Sequence, residues 1–232
     1  MFTKELIQAI SNWQRGGDKN LKQKRGAVLK AEAEKLPKDF RQPAKCYRKI
    51  ALDGHSLMHM GTHYELSETI SSWTRSVDVV KAFKRGVPAA PWQGVIFSTT
   101  PEAASVILDF TALFANADFR SAVDTHKSAI EDFQHGMGRY GDSQQEVVLE
   151  LATLPLDSLV AWGGYTSPEL RLAEMYFGKE PSEAQLVEFR ELMKKAGHQV
   201  GAYWMFTPEA VARISEKLKH HAARLSSGNP KV

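Results

Sequence analysis

The sequence predicts an α+β fold, because stretches of helical and of strand periodicity alternate irregularly along the chain. Apolar residues recur at helical spacing towards both ends, whereas short apolar runs typical of strands lie in the centre. The regular strand–helix alternation of a doubly wound parallel sheet does not occur in the pattern. With 232 residues and 43% hydrophobic composition, the chain is long enough to bury a core without disulfides or metal. We therefore expect one large domain with helical additions.

The N-terminal region has the pattern of a helical appendage. Helices are predicted over 2–13 and 20–36, and the second is so polar that it has few residues to bury. Glycines follow the first helix and prolines follow the second, as expected at helix ends. We therefore expect an appendage over 1–43, a central core over 44–206, and a C-terminal helix with a disordered tail over 207–232.

The central region contains most of the predicted strands. Strands are expected at 46–52, 69–74, 94–98, 146–151, 158–162 and 200–206. Helices are expected at 77–83, from Pro101 through Phe114, and at 121–133, 168–196 and 208–225. A glycine-rich loop at 136–141 separates the third of these helices from the fourth strand.

Composition excludes several classes of protein. The single cysteine, Cys46, excludes an internal disulfide, and its place in a buried strand favours packing over a nucleophilic role. No window approaches eighteen uninterrupted apolar residues, and Lys4 and Glu5 interrupt the apolar start, so we expect a cytoplasmic protein without a membrane function. The net charge of +3 is too small to establish a polyanionic partner. Basic clusters at 19–30 and 217–224 either face phosphates or form solvated helix faces.

Three segments on predicted strands carry residues suited to chemistry: CYRKI at 46–50, ISSWT at 70–74 and QQEVVLEL at 144–151. Arg48 stands in an otherwise apolar strand, where a guanidinium is costly unless it meets an anion. A diphosphate supplies that anion, because the planar guanidinium binds two oxygens at once. An ordinary ion pair is the alternative. Ser72 taken alone indicates nothing.

Glu146 begins the strand of the third segment. Strand alternation predicts Gln144 and Glu146 on one face, roughly 6.5 to 7 Å apart. A carboxylate there suits a reaction that develops positive charge, such as cleavage of an N-glycosidic bond through an oxocarbenium-like state. A solvated carboxylate at a strand end is the alternative.

In order and context, the three segments resemble the Arg-Ser-Glu branch of the ADP-ribosyltransferases, relatives of the clostridial C3-like toxins. In that family an aromatic-Arg strand precedes a Ser-Thr-Ser strand, and a Glu- or Gln-x-Glu strand follows. Tyr47 and Arg48 match the first motif, 71–74 the second with Trp73 in its middle position, and 144–146 the third. The resemblance covers about 44–162.

The resemblance implies an ADP-ribosyltransferase-like split β-sandwich core, NAD as substrate and no metal. Arg48 would hold the NAD diphosphate and the neighbouring ribose, and Ser72 would brace the nicotinamide pocket and hydrogen-bond Glu146. Glu146 would bind the 2′-hydroxyl of the nicotinamide ribose and favour departure of nicotinamide. The remaining NAD-site residues would be Tyr47, Ser71 and Thr74.

The resemblance also implies where the acceptor of ADP-ribose binds. Gln144 would face it, and its amide both donates and accepts hydrogen bonds. In related enzymes a Gln here accompanies asparagine or guanine acceptors and a Glu accompanies arginine, so arginine is the least favoured acceptor. Tyr140 and Arg139 at the loop tip would contact the target, since an aromatic face stacks on a base or packs on a protein. A nucleic-acid base is slightly favoured over a protein side chain.

The expected function is ADP-ribose transfer by an intracellular toxin or a phage-defence effector, with an antitoxin or inhibitor protein as a further partner by analogy. The alternative is a catalytically silent member of the same fold that binds protein or nucleic acid.

Two other patterns are weaker signals. The glycines within 136–141 have the spacing of a dinucleotide-binding fingerprint, but a helix is predicted before them and a strand after, the reverse of what that site needs. His55, His59 and His63 recur every four residues, but nearby glycines interrupt the helix that would align them, so we expect no metal site.

Overall fold

The computed structural model describes residues 1–58, 60–165, 168–196 and 201–227. The chain divides into two compact units. Unit 1 comprises Met1–Arg48, Thr62–Val80 and Phe97–Ser158, and unit 2 comprises Lys49–Gly61, Lys81–Ile96 and Leu159–Val232. All the residues predicted to form the NAD and acceptor sites belong to unit 1.

The mixture of helices and strands confirms the α+β class. The helices are α1 Lys4–Gln14, α2 Lys19–Ala33, α3 Gly54–Met58, α4 Val77–Ala82, α5 Phe110–Ala115, α6 Ala117–His126, α7 Met137–Tyr140, α8 Glu169–Phe177, α9 Glu183–Lys195 and α10 Pro208–Ser226. The strands are β1 Cys46–Leu52, β2 His63–Glu65, β3 Ile70–Thr74, β4 Gln93–Thr99, β5 Val106–Asp109, β6 Glu146–Glu150, β7 Thr153–Pro155, β8 Leu159–Tyr165 and β9 Ala202–Met205.

The larger sheet has the strand order β5-β6-β3-β1-β4-β8-β9, and β2 pairs with β7 separately. The pairs β1–β3, β3–β6, β5–β6 and β8–β9 are antiparallel. In the β3–β6 pair Thr74 lies opposite Glu146 and Ser72 opposite Val148. The three strands that carry the predicted motifs are therefore neighbours, in the order β6-β3-β1.

The first helix contributes one face to the hydrophobic core of unit 1. Thr3 caps α1 by accepting a hydrogen bond from the Leu6 amide, and one face of the helix is buried. Its apolar side chains join those of α2, β5, α5 and α6 in one cluster, with Leu6, Ile7, Ile10, Leu29, Leu108, Phe110 and Phe119 almost fully buried. Within the segment expected to be an appendage, 1–43, helix α1 thus buries its apolar face in the core, as an amphipathic helix must.

Unit 2 is held together by its C-terminal helices and by β8 and β9. Helix α10 contacts β8 and α3. The guanidinium of Arg190 on α9 donates two hydrogen bonds to the Glu169 carboxylate on α8, at 2.9 and 2.8 Å. The Trp204 indole donates to the Lys81 carbonyl at 3.0 Å.

The helix predicted from Pro101 through Phe114 is wrong. Val106–Asp109 form strand β5, which pairs with β6, and helix α5 starts only at Phe110. The Asp109 side chain accepts a hydrogen bond from the Ala112 amide and so caps that helix. The run Val106-Ile107-Leu108 is apolar at every position, and such a run does not distinguish a buried strand from a helix by periodicity.

The C-terminal region is described from 201 to 227. Helix α10 and strand β9 confirm the helix at 208–225 and the strand near 200–206, although Val200 lies outside the described residues. Most of the tail expected to be disordered, 228–232, also lies outside them. Within the described ranges, no helix combines the length and the apolar character needed to cross a membrane.

Candidate functional site

The centre of the candidate site is a direct contact between Ser72 and Glu146. The Ser72 hydroxyl donates a hydrogen bond to Glu146 Oε1 at 2.5 Å. Because Thr74 lies opposite Glu146 in the register, strand alternation places Ser72 and Thr74 on the same face as Glu146. Ser72 is exposed, whereas Glu146 is only 5% exposed. The two residues therefore form a carboxylate site at the border between solvent and core.

Two further donors reach Glu146 from the end of helix α1. The Trp13 indole Nε1–H donates to the same oxygen, Oε1, at 2.8 Å. The Gln14 amide also hydrogen-bonds the carboxylate and donates to the Gly141 carbonyl at 2.8 Å. Burial raises the pKa of Glu146, and the hydrogen bonds from Ser72, Trp13 and Gln14 oppose that rise. The carboxylate is thus desolvated but supplied with fixed donors.

Arg48 lies on strand β1, the neighbour of β3, and its guanidinium approaches the backbone of Ser72. Its Nη1 approaches the Ser72 carbonyl oxygen at 3.4 Å, and its Nη2 lies 3.7 Å from a carboxylate oxygen of Glu68. Burial lowers the pKa of Arg48, and the charge of Glu68 opposes that effect. Glu68 also accepts a hydrogen bond from Lys22 at 3.3 Å. Arg48 therefore has an anionic partner within the protein, the Glu68 carboxylate, which it shares with Lys22.

The other residues predicted to bind NAD divide between the two faces of the sheet. Tyr47 pairs with Thr74, and the Thr74 hydroxyl donates to the Gln144 carbonyl at 2.6 Å. Ser71 is only 1% exposed and accepts a hydrogen bond from the Trp73 indole at 3.1 Å. Alternation along β3 directs Ser71 away from Ser72. The structure thus brings Tyr47 and Thr74 to the site and places Ser71 on the opposite face.

Gln144 precedes the strand instead of lying in it. Strand β6 begins at Glu146, and Gln145 has a left-handed backbone with φ +45°. The alternation that predicted Gln144 and Glu146 on one face therefore does not extend to Gln144. Two hydrogen bonds fix this turn against the end of β3, from the Thr74 hydroxyl to the Gln144 carbonyl and from the Arg75 amide to the Gln145 carbonyl.

The predicted glycine-rich loop contains the one-turn helix α7. Arg139 is exposed on it and its guanidinium lies 5.3 Å from the centre of the Tyr140 ring. At the start of this turn, a Cβ on Gly136 would lie 2.2 Å from the Ser11 carbonyl oxygen of α1. The end of the turn, Gly141, accepts the hydrogen bond from Gln14. Helix α1 therefore fixes both the Glu146 carboxylate and the segment predicted to bind the acceptor.

The two weaker patterns can be followed only through the residues that the structure describes. Helical and turn segments precede the glycines of 136–141 and β6 follows them, as the sequence indicated. Helix α3 ends at Met58 and His63 lies in β2, while His59 lies outside the described residues. Among the residues that the structure does describe, no group of three His, Cys, Asp or Glu is placed to hold a metal. Burial raises the pKa of the Cys46 thiol to about 12, which disfavours a nucleophilic thiolate.

Sequence reasoning missed three residues of the site: Trp13, Gln14 and Glu68. Trp13 ends an amphipathic pattern and is interpreted there as a core residue, which its burial also satisfies. Its contact with Glu146 spans 133 positions, a separation that local periodicity does not reveal. Glu68 could have been anticipated, because an arginine in an apolar strand needs an anionic partner. A nearby carboxylate meets that need as well as a diphosphate does.

Comparison with protein-family models, with curated proteins and with solved structures finds no match. The function is therefore inferred from the geometry of the site and from the motifs.

Proposed function

We propose that the protein transfers ADP-ribose from NAD to a macromolecular acceptor and releases nicotinamide. The observation that carries the proposal is the 2.5 Å hydrogen bond from the Ser72 hydroxyl to Glu146, with the Arg48 guanidinium 3.4 Å from the Ser72 backbone. These are the three residues that the motif resemblance assigns to catalysis, and they lie on neighbouring strands. An ADP-ribosyltransferase-like split β-sandwich and a role as a toxin or phage-defence effector, restrained by an antitoxin, rest on that resemblance alone. A cytoplasmic location rests on the composition.

The reaction suits a buried carboxylate. The bond between the ribose C1′ and the nicotinamide nitrogen breaks, and its electron pair neutralises the pyridinium as nicotinamide departs. The positive charge that develops on the ribose is stabilised by Glu146, whose effect is strengthened by the low dielectric around it. The acceptor nucleophile then bonds to C1′ and loses its proton to solvent or to a neighbouring base. Ser72 holds the carboxylate in place throughout.

Arg48 is the group suited to the NAD diphosphate. A guanidinium binds two phosphate oxygens at once, and this one is already desolvated. Its contact with Glu68 is long, at 3.7 Å, and Lys22 shares that carboxylate. In this proposal the diphosphate replaces Glu68 as the partner of Arg48, while Lys22 retains the released carboxylate.

The acceptor site is assigned to the turn that precedes Glu146. Gln144 is half-buried two residues before Glu146, and the exposed Arg139 stacks on Tyr140 one short turn earlier. These groups suit a nucleic-acid base, with a protein side chain such as asparagine almost as well supported. In the N-terminal basic cluster, Lys22 and Lys30 pair with Glu68 and Glu150, which reduces the charge available for phosphates.

The testing experiment incubates the full-length protein with NAD labelled in its ADP-ribose and with cell extract, and measures released nicotinamide. Parallel samples are then digested with nuclease or with protease. Label released by nuclease identifies a nucleic-acid acceptor, and label released by protease identifies a protein. Absence of both nicotinamide release and transfer refutes the proposal.

Two matched substitutions on β6 show whether Glu146 carries the reaction. Glu146→Gln keeps the shape but removes the charge, and we expect nicotinamide release to fall by about 100-fold or more. Glu150→Gln makes the same change on the same strand at a half-buried residue that pairs with Lys30, and it should retain activity. Equal activity in both variants contradicts the assignment of Glu146.

A catalytically silent binding module is the second candidate. It is favoured by the 5% exposure of Glu146 and by the pairing of Arg48 with Glu68, since both groups are satisfied without a ligand. Acceptor binding that is unchanged in Glu146→Gln, without NAD turnover in the wild type, selects this candidate.

A further inference from the structure

Helix α1 ends against the proposed catalytic carboxylate. The Trp13 indole and the Ser72 hydroxyl both donate to Oε1 of Glu146, at 2.8 and 2.5 Å. Each carboxylate oxygen has two lone pairs, so these donors occupy Oε1. Oε2 is the oxygen that Trp13 and Ser72 leave for the substrate hydroxyl of the proposed reaction.

The indole itself is held firmly. Trp13 is 6% exposed and belongs to the core cluster of unit 1. Helix α2 approaches it so closely that a Cβ on Gly26 would lie 3.1 Å from its Cζ3. The indole has a single donor and few rotamers, so its N–H points in one fixed direction. Such a donor restrains the carboxylate more strongly than a mobile hydroxyl or water does.

We propose that Trp13 is a positioning residue of the ADP-ribosyl transfer reaction, which fixes the orientation of Glu146 and keeps it ionised through the indole hydrogen bond. This inference rests on the proposed function, since it assigns Trp13 a part in that reaction. The charged form of a carboxylate is favoured by each hydrogen bond that it accepts. Loss of the indole donor therefore leaves less of Glu146 ionised at a given pH.

Other ionisable groups near β6 have partners of their own. Asp109 on β5 pairs with Arg75, and Glu150 on β6 pairs with Lys30. On α1, Lys4 and Glu5 lie in the first turn, at the end of the helix opposite to Trp13. Strand β3 and helix α5 have no ionisable residues, and on α2, the helix packed against Trp13, Arg25 donates a hydrogen bond to the Gly16 carbonyl. Two histidines, His126 and His135, lie on other segments that pack against α1. A pH-dependent shift of the Trp13 indole signal therefore reports the ionisation of Glu146 if that shift disappears in Glu146→Gln.

The first test observes the hydrogen bond without any substrate. The full-length protein is labelled with ¹⁵N in its indoles, and the indole N–H signals of its five tryptophans are followed between pH 4 and 9. The signals are assigned from through-space contacts in the wild type, so no variant of Trp13 is needed. We expect the Trp13 signal to titrate in the wild type and to lose that step in Glu146→Gln. A Trp13 signal that does not titrate, or one that titrates equally in both proteins, overturns the inference.

The second test measures NAD turnover against pH. Trp13→Phe should move the acidic limb of the rate profile up by about one pH unit, which corresponds to the loss of one hydrogen bond to a charged group. Its rate should then be about tenfold below the wild type on that limb and close to it at higher pH. Trp162→Phe is the matched control, because it truncates another buried tryptophan, in unit 2. It should leave the limb in place.

The outcomes separate the two proposals. A Trp13→Phe profile lowered equally at every pH indicates a purely structural role and overturns the inference. A wild type that never consumes NAD refutes the proposed function, and the indole titration then shows independently whether Trp13 controls the ionisation of Glu146.

Discussion

Burial of the charged Glu146 carboxylate lowers the free energy of unfolding, and the size of this electrostatic penalty depends on pH. Burial raises its pKa in the folded protein above that of the unfolded chain. The penalty is therefore absent below the unfolded pKa, grows between the two pKa values, and is complete above the folded one. A neutral side chain of the same shape avoids it.

We therefore expect Glu146→Gln to gain stability relative to the wild type as the pH rises from about 4, the unfolded pKa of a glutamate, towards neutrality. Urea denaturation of both proteins at a series of pH values measures this difference. Glu150→Gln, which removes an ion pair that is partly open to solvent, should show no such trend. A difference between Glu146→Gln and the wild type that stays constant with pH contradicts the argument.

Arg48 is distinguished from a simple positive charge by its planar guanidinium. We expect Arg48→Lys to raise KM for NAD by about tenfold, because an ammonium does not bind the diphosphate through two parallel hydrogen bonds. Arg190→Lys is the control, since it removes an equally planar contact, with Glu169, in unit 2. Steady-state kinetics with varied NAD distinguish the two. An unchanged KM in Arg48→Lys indicates that Arg48 serves only its ion pair with Glu68.

At the level of elements, α1 and the turn at 136–141 depend on each other. A Cβ on Gly136 would lie 2.2 Å from the Ser11 carbonyl oxygen, and a backbone atom cannot rotate away. We expect Gly136→Ala to destabilise the protein by about 2 kcal/mol, a typical cost of overpacking. Gly54→Ala is the control, because a Cβ there meets no atom within 4 Å. Thermal unfolding monitored by circular dichroism compares them, and equal melting temperatures contradict the close contact.

The elements show where sequence patterns suffice. The bounds of β1, 46–52, follow from its pattern, and α1 follows from apolar residues at helical spacing. The strand β5 was missed because an unbroken apolar run suits a strand or a helix equally. The hydrogen bond between Ser72 and Glu146 is predicted by the motif resemblance. The part of Trp13 in the site was not predicted, because a residue on an apolar helix face shows only that it is buried.

The burial of helix α1 bears on the result expected from an N-terminal deletion. As an appendage, residues 1–36 would be dispensable for NAD hydrolysis. Since α1 supplies Leu6, Ile7 and Ile10 to the core of unit 1, their removal exposes the apolar faces of β5 and α5. Loss of activity after such a deletion therefore indicates loss of folding and gives no separate information about the site.

For the whole molecule, the balance of charge limits unspecific attraction to nucleic acid. The net charge is only +3, and Lys22 and Lys30 are paired with carboxylates. We expect random duplex DNA to bind more weakly than about 10 μM at physiological salt, with a shallow dependence of log K on log salt. Fluorescence anisotropy at several salt concentrations measures both quantities. Tight binding with a steep slope shows instead a continuous basic surface.

The contact between Trp13 and Glu146 also orders events during synthesis. The indole emerges from the ribosome early, whereas the carboxylate that it binds follows 133 residues later. Domains fold as units once their sequence is available. A nascent chain therefore has an N-terminal helix with its apolar face uncovered and no assembled carboxylate site until β6 has been made. If the proposed function holds, translation delays the chemistry, and truncated products that end before β6 are expected to be inert towards NAD.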